Sequence, residues 1–222
     1  MLVILSHHCC LTNALQEYFE LMAKTANFER SFVDNHSGDT IIDDYHRTSS
    51  FFGFQKVRKH QWGKSLGVIT WCLTMFSSLK NENPKIRSFQ RRIADLFCCA
   101  EDQIEPIQLV RYKPGEFFGL HHDMGDLSPD GDVVLPQRVW YAKRRLITLF
   151  IYLNTLPEEQ GGCTHFPRCD DLRINPKRGR LVMWSNVTKE GLPDPRTVHA
   201  GECVSNPHSP AKYGLNVWIC EE

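Results

Sequence analysis

Ile107-Gln-Leu-Val-Arg-Tyr-Lys-Pro-Gly-Glu-Phe-Phe-Gly-Leu-His-His-Asp123 is the stretch on which the reading of this chain turns. Ile107 to Tyr112 alternates apolar and polar residues, the period of a half-buried strand. Lys113-Pro-Gly115 is turn chemistry and sends the chain into a second strand that ends in His121-His-Asp123. On a strand, side chains at i and i+2 point the same way, so His121 and Asp123 can grip one ion while His122 points away. His199 supplies a second imidazole from far downstream. Two imidazoles and one carboxylate hold non-haem Fe(II) on one face and leave the other open for oxygen. Because the third ligand comes from a distant strand, only a closed fold can assemble the set.

Outward from this stretch, the pattern divides the chain. From about residue 103 it reads as short strands. Leu146 to Leu153 is an apolar, β-branched and aromatic run of the kind found in buried central strands. Arg180–Trp184, Thr197–Val204 and Tyr213–Cys220 complete a set of about eight, punctuated by Gly161-Gly162, Lys177-Arg-Gly179 and Asp194-Pro195. An all-β double-sheet barrel with helices packed outside fits this order. Upstream, Leu11, Leu15, Tyr18, Phe19 and Met22 share one helical face. A second helix over Lys85–Phe97 turns Ile86, Phe89, Ile93, Leu96 and Phe97 inward and Arg87, Arg91 and Arg92 outward. Arg47 to Phe54 is β-prone. The expected organisation is a helical support region over 1–102 and a β domain over 103–222.

Composition excludes several classes. Lys plus Arg and Asp plus Glu balance at 26 each among 222 residues, so no global field favours nucleic acid or an anionic membrane. The longest apolar stretch, Leu66–Phe76, is eleven residues, against about 20 for a membrane span. Met1-Leu-Val-Ile-Leu-Ser-His-His-Cys-Cys10 has no basic region and too short an apolar run for a signal peptide. As it stands the chain reads as cytosolic; a chain trimmed of a leader to the ER lumen would read the same. Nine cysteines, with two adjacent pairs, do not make a disulfide framework. Cys163 and Cys169 flank His165 without the spacing of a zinc site, which leaves reduced thiols as the better reading.

An Fe(II) oxygenase needs an electron-rich cosubstrate. For a keto acid, a basic residue must hold the far carboxylate. Lys212, thirteen residues after His199 and at the start of the next strand, has a stem long enough to reach into a barrel. Tyr112 could add a hydroxyl donor from the neighbouring strand.

An ordered set of segments carries a resemblance over most of the chain: Arg47-Thr-Ser-Ser50, Arg92-Ile-Ala-Asp-Leu96, Glu105–Gly115, His121-His-Asp123, Arg145–Leu153, Gly161–Pro167, Pro176-Lys-Arg-Gly179, Asp194–Gly201 and Lys212–Trp218. In these the chain resembles the prolyl 4-hydroxylase family of Fe(II)- and 2-oxoglutarate-dependent dioxygenases. The resemblance implies a double-stranded β-helix, the cupin-like jelly roll, buttressed by helices. It implies His121, Asp123 and His199 as iron ligands, Lys212 as salt-bridge partner of the 2-oxoglutarate C5 carboxylate, and Tyr112 as its hydrogen-bond partner. Glu105, Arg145 and Trp218 match positions lining the peptide groove, and residues 47–54 match a mobile loop that closes over the peptide. Fe(II), 2-oxoglutarate, O2 and ascorbate as reductant are the implied cofactors. The implied partner is a peptide or protein containing proline, hydroxylated at C4 with release of succinate and CO2.

Departures from the family pattern concern the substrate. Phe118 stands where a Tyr is common, Cys220 where some members place a substrate-contacting His, and Cys203 where a Pro is usual. Gln55–Pro84 reads as an insertion. Hydroxylation of a peptidyl Lys or Asn shares everything except the groove, and a non-catalytic binding module would share the fold. A nucleic-acid demethylase shares the iron set, but its arginine-rich segment after the distal His is absent.

Overall fold

The computed structural model describes residues 2–5, 12–30, 33–34, 40–41, 48–53, 83–135 and 143–222. Leu11, Arg47, Phe54, the Leu66–Phe76 stretch, Cys9, Cys10, Cys72 and nearly all of the 55–84 insertion lie outside them. In chain order the strands are β1 (Leu2–Leu5), β2 (Glu29–Arg30), β3 (Val33–Asp34), β4 (Thr40–Ile41), β5 (Ser50–Gly53), β6 (Gln108–Tyr112), β7 (Phe118–His121), β8 (Asp126–Leu127), β9 (Val133–Val134), β10 (Arg145–Tyr152), β11 (Thr164–Phe166), β12 (Leu172–Ile174), β13 (Leu181–Ser185), β14 (His199–Gly201) and β15 (Lys212–Cys220). Among the described residues two α-helices, α1 (Asn13–Thr25) and α2 (Pro84–Phe97), accompany them.

Seven strands form a major sheet in the order β1-β13-β10-β15-β6-β5-β2, and four form a minor sheet, β12-β11-β14-β7. From β6 onward the chain passes back and forth between the two, so that β6, β10, β13 and β15 lie in one sheet and β7, β11, β12 and β14 in the other. Pairing is antiparallel throughout. This is the expected double-stranded β-helix, built from eight strands. The N-terminal region adds more than helices. β1 extends the major sheet beyond β13, and β5 and β2 extend it beyond β6.

Strand alternation explains why the major sheet is buried on both faces. Leu109, Leu149, Ile151, Leu215, Val217 and Ile219 point outward against Phe19 of α1 and Ile86, Phe89 and Ile93 of α2. Val110, Tyr112, Phe150, Tyr152, Val182 and Trp184 point inward against Phe166 and Ile174 of the minor sheet. Each such side chain stabilises by about 1.5–3 kcal/mol when fully buried. The helices have the local signals for their ends. Thr12 caps α1 by accepting from the Leu15 amide, and Asn83 caps α2 by accepting from Lys85, with Pro84 in the first turn. Leu96 departs from the expectation that it faces inward: it is 60% exposed. The buried stripe of α2 runs through Ile86, Phe89, Ile93 and Ala94, and at about 100° per residue Leu96 falls off its rim.

Candidate active site

His121 closes β7, and its Cα partner across the minor sheet is His199, the first residue of β14. Asp123 is not on the strand itself. It sits in the turn after β7, where His122 bridges to Gly125. The expected alternation survives the turn: His121 and Asp123 converge while His122 points the other way. His121 Nε2 lies 3.9 Å from Asp123 Oδ1, and His199 Nε2 lies 3.9 Å from Asp123 Oδ2. Ligand atoms of the three all fall within 4.8 Å of one another.

Both imidazoles are fixed in the tautomer a metal needs. His121 Nδ1–H donates to the Gly119 carbonyl at 2.8 Å, and His199 Nδ1–H donates to Thr197 O at 2.9 Å. That leaves each Nε2 lone pair aimed at the centre. Aromatic neighbours hold the rings in place. Phe118 stacks on His121 with centroids 3.7 Å apart, so the ring that replaces the family's usual Tyr packs on a candidate ligand. Phe166 stacks on His199, and Trp184 meets it edge-on at 4.7 Å.

The carboxylate has its own support. Thr148 Oγ1 donates to Asp123 Oδ2 at 2.6 Å, and Asn186 Nδ2 donates to Thr148 Oγ1 at 2.9 Å. Burial pushes the Asp123 carboxyl up, but the fields of His199, His121 and Arg145 and the Thr148 hydrogen bond outweigh it and hold it well below the usual range. A β-bulge brings Arg145 to the side of the sheet on which Thr148 lies. Arg145 pairs with Cys220 and Ile147 with Ile219, leaving Leu146 as the extra residue. Arg145 and Thr148, three apart, thereby face the same side of the sheet.

Lys212 lies deeper between the sheets. Only 1% exposed, it stands opposite Tyr112 in register, with Nζ 4.3 Å from the centre of that ring and 5.7 Å from that of Phe150. It donates to the Gly162 carbonyl at 2.9 Å, which the left-handed φ of +78° at Gly162 helps present. Burial pulls the Lys212 ammonium down from 10.5 to about 8, with Cys163 and Glu202 opposing from a distance. Tyr152, which the sequence reading passed over, sits fully buried in the same inner cluster, its hydroxyl paired with Thr164 Oγ1 at 2.5 Å. Trp184 and Phe166 of that cluster touch His199, and Tyr112 and Phe150 touch Lys212. The triad and the cation therefore border the same aromatic cluster between the sheets.

Arg145, Glu105 and Trp218 form a unit. Arg145 makes a two-pronged contact with Glu105, at 2.7 and 2.8 Å, and its guanidinium lies 3.8 Å from the centre of the Trp218 ring. Cys220 Sγ donates to Glu105 Oε1 at 3.4 Å, and burial together with Glu105 pushes that thiol well up. The Trp218 Nε1–H is buried without an acceptor among the described residues. Cys163 and His165 are engaged elsewhere: the thiol with Asn175, the imidazole with Asp171 and Glu202. The His121, Asp123 and His199 set is the one metal-competent group among the described residues, and the six described cysteines are free thiols.

The residues present fit the cofactors the resemblance implies. Two Nε2 lone pairs and a carboxylate suit Fe(II), and a buried ammonium with no carboxylate in contact among the described residues suits the far end of a dicarboxylate keto acid.

Residues 107–220 match the 2OG-Fe(II) oxygenase superfamily, just over half of the chain, and the protein belongs to that superfamily. A putative prolyl 4-hydroxylase of Acanthamoeba polyphaga mimivirus is 28% identical over 144 residues, covering 64% of this chain and 56% of the relative. Prolyl 4-hydroxylase 1 of Arabidopsis thaliana is 28% identical over 197 residues, 83% of this chain and 58% of the plant protein. The chain thus spans little more than half the length of these relatives. Among solved structures, the viral collagen prolyl hydroxylase of Paramecium Bursaria Chlorella virus-1, in its 2OG complex, shares the fold at TM-score 0.58 and 19% identity, over 98% of this chain and 94% of that one. No helix among the described residues is long and apolar enough to cross a membrane.

Proposed function

We propose that this protein is an Fe(II)- and 2-oxoglutarate-dependent dioxygenase that hydroxylates a peptidyl residue, proline at C4, with release of succinate and CO2. What supports the reading is the clustering of His121, Asp123 and His199 together with a buried Lys212 whose neighbours Tyr112 and Phe150 belong to the same aromatic cluster as Phe166 and Trp184 beside His199. His121, Asp123 and His199 hold the metal, which supplies oxygen activation when bound. Lys212 fixes the C5 carboxylate of 2-oxoglutarate through a charge-assisted contact, with Tyr112 beside it. Thr148 and the two backbone carbonyls orient the ligand atoms. Phe118, Phe166 and Trp184 surround the imidazoles with apolar surface, which limits water at the reacting centre.

Arg145 and Trp218 face the metal set from the major sheet and supply the peptide contact. Glu105 holds Arg145 against the indole, so the guanidinium is oriented before any peptide arrives. Proline as the residue modified draws its support from the prolyl 4-hydroxylase relatives. The test is succinate formation from 2-oxoglutarate with Fe(II), ascorbate and O2 across proline-, lysine- and asparagine-containing peptides, with mass spectrometry locating the added oxygen. Proline-dependent turnover that vanishes in H199A supports the reading. Oxygen found only on lysine or asparagine overturns the proline assignment, and no succinate with any peptide overturns the enzyme.

A further inference from the structure

His122 is the residue of the His121–Asp123 motif for which metal binding has no use, and it is 4% exposed. Its ring is engaged at both nitrogens. Nδ1 accepts the Met124 amide N–H at 3.1 Å, which requires that nitrogen to carry no proton. The proton is therefore on Nε2, which lies 3.1 Å from Thr197 Oγ1 and 3.2 Å from the Asp194 carbonyl. Thr197 Oγ1 donates in turn to Asp194 O at 2.9 Å, and the carbonyl of the same Thr197 receives His199 Nδ1–H. A path of two residues, His122 and Thr197, thus runs from the turn that carries Asp123 to the ring of the third ligand.

The sheet does not supply this spacing. β7 and β14 pair at His121–His199 and Gly201–Phe118, with a register shift between, and the ladder stops at the ligands. Asp123 and Thr197 both lie beyond it, one in the turn after β7 and the other in the short 3-10 helix Pro195–Thr197. The two segments are far apart in sequence and share no strand pairing there, so a side chain must tie them.

We propose that His122 is a positioning residue, a neutral strut between the Asp123 turn and the Asp194–Thr197 turn that sets the distance from Asp123 to His199 for binding a divalent metal. The inference rests on His121, Asp123 and His199 being the metal ligands. It also explains why an imidazole suits the place: no other side chain puts an acceptor at the δ position and a donor at the ε position in one rigid ring.

Amide side chains separate the two ends. In H122Q the Nε2 can reach Thr197 and Asp194 but the acceptor for Met124 is lost. In H122N the Oδ1 can serve Met124 but nothing reaches across. Mn(II) dissociation constants, read from the free-ion EPR signal of the keto-acid-free protein, need no turnover. The expected result is a loss of about 10- to 100-fold in H122N, the range for partners behind a metal ligand, with H122Q within about threefold of wild type. T197V removes one of the two acceptors at the far end, keeping the Asp194 carbonyl and the carbonyl that holds His199, and should lose about three- to tenfold, less than H122N. The H122N/T197V double variant should lose no more than H122N alone. Should H122N fail to fold, T197V decides the matter. Wild-type affinity in T197V, or H122Q falling as far as H122N, overturns the strut. If the wild type itself binds no Mn(II), the metal site has failed and the strut with it.

Discussion

Replacing Lys212 by Met keeps the stem and removes the ammonium, and the structure sets what should follow. Lys212 is buried with a carbonyl and two ring faces as its recorded contacts, and burial brings it from 10.5 to about 8. A folded value below the unfolded one means that between pH 8 and 10.5 the unfolded chain binds more protons. Stability of the keto-acid-free protein therefore rises with pH across that window, and below pH 8 the cost of the buried charge is carried in full. Two and a half pH units at 1.36 kcal/mol each make that rise at most about 3 kcal/mol. K212M should lack it. Near pH 7 the relief of the buried charge is offset by the unpaired Gly162 carbonyl, at about 1–3 kcal/mol, so the two proteins should be of similar stability. Binding tells them apart. Truncating one partner of a buried charged pair costs about 2–5 kcal/mol, so 2-oxoglutarate affinity should fall by at least about 30-fold. Wild-type affinity should itself decline above pH 8, because the bound carboxylate needs the ammonium protonated. Urea unfolding at pH 7 and 9.5, with calorimetric titration of 2-oxoglutarate into the Mn(II)-loaded protein, measures both. K212M binding 2-oxoglutarate within threefold of wild type, or keeping the rise in stability, would refute the assignment.

Other consequences follow from neighbouring contacts. T148V removes the donor to Asp123 and should weaken Mn(II) binding by about tenfold or more, whereas T148S should keep it; equal affinities in all three proteins would sink the relay from Asn186. E105Q removes the charge that holds Arg145 against Trp218. It should lower stability by about 1 kcal/mol, since the pair is partly exposed, and raise the peptide KM more than it lowers kcat; an unchanged KM would remove Arg145 from the groove. At Gly214 an added Cβ would stand 2.3 Å from the Phe150 ring. G214A should therefore cost about 1–3 kcal/mol in urea denaturation and disturb Lys212 through Phe150, and a wild-type midpoint would contradict the packing described.

The metal-ligand candidates were legible because residue type and spacing carry the information: His121, Asp123 and His199 need no register to be recognised. Lys212 and Tyr112 were legible as adjacent strand positions, and they are cross-strand partners. Thr148 and Asn186 were not. Thr148 shares the inward face of Phe150 and Tyr152, but only the tertiary arrangement brings it to Asp123, and Arg145 joins that face only through the bulge at Leu146, which nothing in Arg145-Leu-Ile-Thr148 announces. The same holds for Thr197, whose role depends on a short 3-10 helix and on a histidine 75 residues earlier. Arg145 and Glu105 were placed in the groove by resemblance alone, and their mutual pairing is a property of the tertiary arrangement. The β-prone stretch Arg47 to Phe54 did yield β5, whereas Leu2–Leu5 and Glu29–Arg30 escaped because they join the edges of the major sheet, where pattern is weakest.

The passage of the chain back and forth between the two sheets has a kinetic meaning. β7 and β14 are neighbours in the minor sheet, yet β10 through β13 must be laid down between them. Bringing His121 and His199 together closes a loop that spans β8 through β13, a costly contact to make early, so the metal is expected not to nucleate the fold. It should instead latch a structure already complete. Mn(II) should accordingly slow unfolding while leaving the refolding rate unchanged, a split that stopped-flow measurements with and without the ion would show. Faster refolding in the presence of metal would mean that the two histidines meet early, against the order in which the strands are threaded.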